Sequence, residues 1–197
     1  MLHDLLKNYH IILGSGSPRR RYLLEGLDIE FEIRVNHDLA ETYPEGLSRQ
    51  QIPVYLAQLK SRSIMETVPE DTLLITADTI VWLEGRVVNK PRDRAEAVGM
   101  LRKLSGNTHE VLTGVCIRTA GRLRTFHASS MVCFTRLSNE EIDYYVDHYQ
   151  PYDKAGAYGV QEWIGYIGIE RIDGSYFNVM GLPVQMVYHE LKKITEK

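Results

Sequence analysis

Cysteine is scarce in this chain of 197 residues: only Cys116 and Cys133 are present. Two cysteines make neither a disulfide framework nor a metal knuckle, so two buried free thiols in a reducing, cytoplasmic setting are expected. Long apolar runs are missing as well. No stretch approaches the roughly 20 residues that span a bilayer, and Met1-Leu2-His3-Asp4 lacks the charged-then-apolar layout of a secretion signal. No membrane partner is therefore expected. A basic excess is also absent. Lys and Arg number 23 against 26 Asp and Glu, a formal net charge of −3, which argues against a binder of nucleic-acid polymers. His3, His10, His37, His109, His127, His148 and His189 are scattered without zinc-ligand spacing. There is no G-x-x-x-x-G-K-[ST] and no G-x-S-x-G, so P-loop and serine-hydrolase chemistry have no footing. Internal repeats, low-complexity tracts and linkers are not found.

What remains is an ordinary globular balance, 44% hydrophobic and 25% charged. A chain of this length buries roughly 70% of its unfolded surface. Apolar runs alternate with amphipathic stretches throughout, which predicts an α/β fold with a mixed sheet. Strands are expected near 9–14, 30–35, 72–83, 109–119 and 123–137, the last two joined in a hairpin at Ala120-Gly121. A further hairpin is expected from 163–172 and 175–180, turning at Asp173-Gly174. Helices are expected from Pro18 to Gly26, from 53 to 65 and from Asp93 to Ser105. Two more should run from Ser138 to Tyr149 and from Pro183 to about Lys193. The final Thr195-Glu196-Lys197 is expected to fray.

Chemistry concentrates at a few places. Gly14-Ser15-Gly16-Ser17-Pro18-Arg19-Arg20 passes from a buried strand into a helix capped by Ser17 with Pro18 at its first position. Free backbone N–H groups and the positive end of the helix dipole meet there, and Arg19 and Arg20 would gain from an anion such as phosphate. A solvated basic turn, extended by Arg21, is the plainer alternative. Asp78, beside Thr79, is an acid inside an apolar strand, where a carboxylate needs a cation, a metal or donors. It could hold Mg²⁺ or Mn²⁺, accept a proton from water, or simply cap a neighbouring loop. Lys60 and Lys90 are surface lysines taken singly. Joined to two arginines they match a triphosphate. In Asp153-Lys154-Ala155-Gly156-Ala157-Tyr158-Gly159-Val160-Gln161, small residues lead to a glutamine whose amide could read the polar edge of a base, or the segment is a tight structural turn. Glu41 and Asp38 lie in an acidic loop from His37 to Glu45, either solvated or supplying a second carboxylate facing Asp78.

Ser-Gly-Ser-Pro-Arg-Arg after the first strand, Ala-Asp-Thr-Ile-Val in the third, Lys90-Pro91 and the Asp-Lys-Ala-Gly-Ala-Tyr-Gly-Val-Gln segment together resemble the Maf family of nucleoside triphosphate pyrophosphatases. They stand in family order and at family spacing over about Ile11 to Leu191. The last segment resembles the branch acting on dTTP and UTP, which implies hydrolysis to the monophosphate and pyrophosphate. The resemblance implies a single domain over 1–197, with any second lobe around 109–137. It also implies an elongated mixed β-sheet flanked by helices, with two lobes and a central cleft, as in inosine triphosphate pyrophosphatases. By the same resemblance Asp78 corresponds to the proton acceptor, while Arg19, Thr79 and Gln161 correspond to positions of substrate choice. Ser15, Arg20, Lys60 and Lys90 match phosphate-site positions. Glu41 matches a functional glutamate, with Asp38 the alternative if the loop is shifted. Asp78 and Glu41 would hold the divalent metal cation, Mg²⁺ or Mn²⁺. A homodimer is a further implication. Two other functions stay open at this point: a nucleotide-binding regulator of cell division with little catalysis, and a house-cleaning pyrophosphatase for modified nucleotides.

Overall fold

The computed structural model describes residues 1–195, with Thr195 described by its backbone alone. In chain order the elements are α1 (Leu2–Leu6), β1 (His10–Leu13), α2 (Pro18–Glu25), β2 (Glu32–Ile33), α3 (Gln51–Met65), β3 (Thr72–Leu83), β4 (Arg86–Val88) and α4 (Arg94–Leu104). There follow β5 (Thr108–Arg118), β6 (Leu123–Phe134), α5 (Asn139–Tyr149), a 3₁₀ turn (Ala155–Ala157), α6 (Trp163–Gly168), β7 (Ile169–Asp173), α7 (Tyr176–Met180) and α8 (Val184–Thr195). Of Thr195-Glu196-Lys197, expected to fray, Thr195 closes α8 and the last two lie outside the described residues.

Seven strands form one sheet in the order β2-β1-β3-β5-β6-β7, with β4 paired to β3. β1 runs parallel to β2 and β3, whereas β3–β4 and β6–β7 are antiparallel, so the sheet is mixed as expected. β3 is a long, largely apolar strand interrupted by Asp78 and three threonines. Thr72 to Asp78 are all buried, as a central strand covered on both faces requires.

Two compact units divide the chain. The first comprises 1–78, 113–128 and 181–197; the second comprises 79–112 and 129–180. In the first, Ile12, Ile64 and Leu74 pack together in the core. Gly114 lets α3 sit directly on β5. A methyl group there would fall 2.2 Å from the carbonyl carbon of Pro53. In the second unit, His109, Phe134 and Tyr158 form a buried ring cluster, with His109 Nε2 2.7 Å from the Tyr158 hydroxyl.

Several expectations need correction. The strand expected over 30–35 shrinks to Glu32–Ile33, both exposed, because only these two residues pair with β1 and the Phe31, Ile33 and Val35 face is not buried. The hairpin expected over 163–180 is instead α6, β7 and α7. Ile164 and Gly168 are buried while Tyr166 and Ile167 face outward, a spacing of four that belongs to a helix. Ser175 Oγ accepts the Asn178 N–H and starts α7. Of the two thiols only Cys116 is buried; Cys133 is partly exposed. The sequence pattern sets Ile52, Tyr55, Leu56, Leu59 and Ser63 on one side of α3, whereas the buried stripe is Ile52, Pro53, Leu56, Ala57, Ser61 and Ile64, with Tyr55, Leu59 and Ser63 half-buried. No helix among the described residues is long and apolar enough to cross a membrane.

Candidate active site

Six of the nine candidate residues lie in the first unit: Ser15, Arg19, Arg20, Glu41, Lys60 and Asp78. Their placement begins with Gly14. Its N–H donates to Ile75 O at 2.8 Å, and a methyl group there would meet Thr76 Cγ2 at 2.5 Å and Ile64 Cδ1 at 2.8 Å. Only glycine lets the end of β1 lie this close to β3 and α3. Thr76 Oγ1 in turn donates to Ala57 O at 2.7 Å, tying β3 to α3 inside the core. Successive strand residues alternate faces, so Asp78 shares the face of Thr76. Lys60 lies one helical turn after Ala57, at the rim of the buried stripe.

The two side chains meet. Lys60 Nζ donates to Asp78 Oδ1 at 2.6 Å, with the side chains only 15% and 11% exposed. Glu41 Oε2 reaches the same nitrogen at 3.0 Å from the surface side, 47% exposed. The loop around Glu41 carries no regular structure, and this ion pair draws it to α3. Asp38 is exposed, and its backbone N–H donates to Asn36 Oδ1. Of the two acids weighed for the loop, Glu41 is the one that meets Lys60.

The turn after β1 is built as the sequence suggests. Ser17 Oγ accepts the Arg20 N–H at 3.5 Å and caps α2. Ser15 is buried, and its Oγ accepts from the Ser17 N–H and from Arg20 Nη1, each at 3.3 Å. Arg20 Nε donates to Gly181 O at 2.8 Å, an anchor that no feature of the sequence signals. Burial pulls the Arg20 guanidinium below its ordinary value. Attraction from Asp78 opposes that shift, Arg19 adds to it, and Glu41 opposes it. Arg20 therefore feels the same two carboxylates as Lys60. With no acidic residue in its first turn, α2 leaves its N-terminal dipole uncompensated beside Arg20.

Thr79, Lys90 and Gln161 belong to the second unit. Thr79 is half-buried on the face of β3 opposite Asp78. Lys90 is exposed ahead of buried Pro91. Its neighbour Asn89 accepts the Gly156 N–H at 3.1 Å, which ties the Lys90 loop to the small-residue segment. Gly156 is left-handed at φ 71° and packs on Val81, where a methyl group would come within 3.2 Å. Beyond it the Glu162 N–H donates to Gly159 O at 3.0 Å, closing a turn with Val160 and Gln161 at its centre. The Gln161 amide oxygen is buried without a hydrogen-bond partner.

Sequence reasoning missed the groups that fix this turn. Glu162 lies beside Gln161 and carries no motif of its own. Tyr145 reads as helix core, and Lys154 reads as part of a small-residue segment. The three join in one buried chain of contacts within the second unit.

A family model described as "Maf-like protein" matches residues 10–194. Among curated proteins, the chain is 56% identical over 195 residues to a "dTTP/UTP pyrophosphatase" of Porphyromonas gingivalis strain W83, covering 98% of each chain. It is also 56% identical over 187 residues to a "dTTP/UTP pyrophosphatase" of Parabacteroides distasonis, covering 95% of this chain and 97% of the other. Among solved structures, a HAM1 protein from Coxiella burnetii aligns with a TM-score of 0.51 at 12% identity. That alignment covers 94% of this chain and 99% of that one, and it bears on the fold alone.

Proposed function

Because the chain belongs to the Maf-like protein family, we propose that it hydrolyses UTP and dTTP to the monophosphate and pyrophosphate, the activity for which its relatives are named. The observation that carries the reading is Lys60 held between buried Asp78 and surface Glu41, with Arg20 in the field of both acids. An acid embedded in a strand, partnered by cations that a polyphosphate can claim, is the arrangement this chemistry needs.

Arg19, Arg20 and Lys60 bind the polyphosphate, with Ser15 orienting Arg20. As the phosphates take Lys60, its hold on the carboxylates loosens. Asp78 then orients a water and accepts its proton as the oxygen attacks the α-phosphorus. The new P–O bond forms as the bond from the α-phosphorus to the bridging oxygen breaks, and pyrophosphate leaves with the electron pair. Glu41 keeps the local field negative around that water.

Asp78 and Glu41 also suit a divalent cation. Each places an oxygen within 3.0 Å of one nitrogen, so both can reach a single ion. Two carboxylates completed by waters and phosphate oxygens form a normal Mg²⁺ or Mn²⁺ donor set. Among the described residues no group of three or more His, Cys, Asp or Glu could hold the ion, so waters or phosphate oxygens would supply the remaining ligands. When bound, the cation neutralises charge on the α-phosphate and the departing pyrophosphate.

Gln161 reads the base. Its amide gives a donor for O4 and an acceptor for N3–H of a uracil ring, the reverse of what cytosine presents. A methyl group beside O4 leaves that edge unchanged, which accounts for both UTP and dTTP. Pyrophosphate release from UTP, dTTP, CTP, GTP and ITP with Mg²⁺ or Mn²⁺ tests the reading. UTP and dTTP should lead by at least about tenfold. Faster turnover of ITP, or binding of UTP without pyrophosphate release, would overturn it.

A further inference from the structure

We propose that Tyr145, Glu162 and Lys154 form a positioning network that sets the aim of Gln161 and so determines base discrimination without touching the nucleotide. The inference rests on the reading of Gln161 as the residue that meets the base.

The network closes on itself. Lys154 is buried, and its Nζ lies 2.7 Å from Asp153 Oδ1 and 3.1 Å from Glu162 Oε1. The other Glu162 oxygen, Oε2, accepts the hydroxyl hydrogen of Tyr145, which is fully buried. That hydroxyl oxygen accepts the N–H of Gly159 at 3.0 Å. Gly159 and Glu162 are the two ends of the turn that carries Gln161, and both ends are pinned by one phenol and one carboxylate. The packing leaves no slack. A methyl group on Gly159 would fall 2.7 Å from Glu162 Cδ and 3.0 Å from Gln161 Nε2. The Gln161 amide therefore rests on bare backbone.

A buried Lys–Glu pair is weak evidence for stability, since packed apolar groups can do as well. It is better suited to fixing geometry. Burial, with Glu162 adding to it, pushes the Tyr145 phenol far above its ordinary value, so the hydroxyl keeps its proton for Glu162 at any working pH. The Tyr145 ring also stacks on Tyr149 with centroids 5.0 Å apart, so removing the hydroxyl leaves the ring held.

The test compares kcat/KM for UTP and CTP in Tyr145→Phe, Glu162→Ala, Glu162→Gln and Gln161→Ala, with thermal melting of each. In Tyr145→Phe and Glu162→Ala the UTP-over-CTP ratio should fall about tenfold, mainly through KM for UTP. Glu162→Gln keeps an acceptor for Tyr145 and should recover the ratio to within about threefold. A lower melting temperature with an unchanged ratio would reduce the network to a structural role and overturn the proposal. So would a uniform loss of kcat on every nucleotide. Gln161→Ala separates the two claims. If it loses discrimination while Tyr145→Phe keeps it, the network is idle and the base-reading role survives. If Gln161→Ala itself discriminates normally, the base-reading role falls and takes the network with it.

Discussion

Lys60 is shared unequally between two acids, and the inequality can be measured. Asp78 Oδ1 lies 2.6 Å from Nζ on a side chain only 11% exposed, whereas Glu41 Oε2 lies at 3.0 Å on one that is 47% exposed. At an effective dielectric near 20, a unit pair at the shorter distance attracts by about 6 kcal/mol. Solvent at the partly exposed ends of both side chains screens that attraction, and breaking a buried pair typically costs about 3 kcal/mol or more, so a coupling of about 3 kcal/mol is expected. The Glu41 pair faces solvent, where exposed ion pairs are worth under about 1 kcal/mol. Double-mutant cycles with Lys60→Met, Asp78→Asn and Glu41→Gln isolate the two terms from urea denaturation followed by circular dichroism. The Lys60–Asp78 coupling should be about 3 kcal/mol and survive 0.5 M salt, roughly a 4 Å screening length. The Lys60–Glu41 coupling should be small and vanish there. Equal couplings, or an Asp78 coupling under about 0.5 kcal/mol, would refute the claim that Asp78 is the buried anchor of the site.

Other consequences concern the frame around the site. Gly114→Ala should cost about 3 kcal/mol or more, because the methyl group meets Pro53 backbone that cannot give way, while Gly99→Ala on α4 meets nothing within 4 Å and should stabilise by about 0.5–1 kcal/mol. Similar stabilities for the two variants would show the close approach to be harmless. Burial lowers the His109 imidazole from 6.5 to about 4, so the folded protein holds it neutral where the unfolded chain binds a proton. Its contribution is complete above pH 6.5 and is lost as pH falls toward 4, at most about 3 kcal/mol. His109→Gln should flatten the stability slope across that window in urea titrations, and parallel slopes would contradict the burial argument.

Where one kind of force decides the structure, the sequence was informative. β3 was legible from end to end because burial on both faces leaves a largely apolar segment, broken by one acid and three threonines. The Ser17 and Ser138 caps were legible because their side chains bond backbone within three residues. β2 was overestimated because Phe31, Ile33 and Val35 alternate like a strand, although only two residues pair with β1. The segment from Trp163 to Met180 was misread as a hairpin. Its β-favouring residues and Asp173-Gly174 outweighed the spacing of Ile164 and Gly168, and the close packing of Gly165 on Val160 was invisible. β4 was missed because three residues after Glu84-Gly85 are too few to show a period. In the site, Asp78 was conspicuous as an acid in an apolar strand. That Glu41 rather than Asp38 meets Lys60 depends on the path of an irregular loop, which no periodicity encodes. Tyr145 was hidden for the opposite reason: a tyrosine on an amphipathic helix looks like core, and only its hydroxyl contacts reveal a second task.

Hydrolysis of UTP in ¹⁸O-labelled water, with the products read by ³¹P NMR and mass spectrometry, goes to the heart of the mechanism. Water oriented by Asp78 should place the label in uridine monophosphate and leave pyrophosphate unlabelled, and Asp78→Asn should release neither product while keeping its fold. Label in pyrophosphate would mean attack at the β-phosphorus, and undiminished turnover by Asp78→Asn would remove Asp78 from the chemistry altogether.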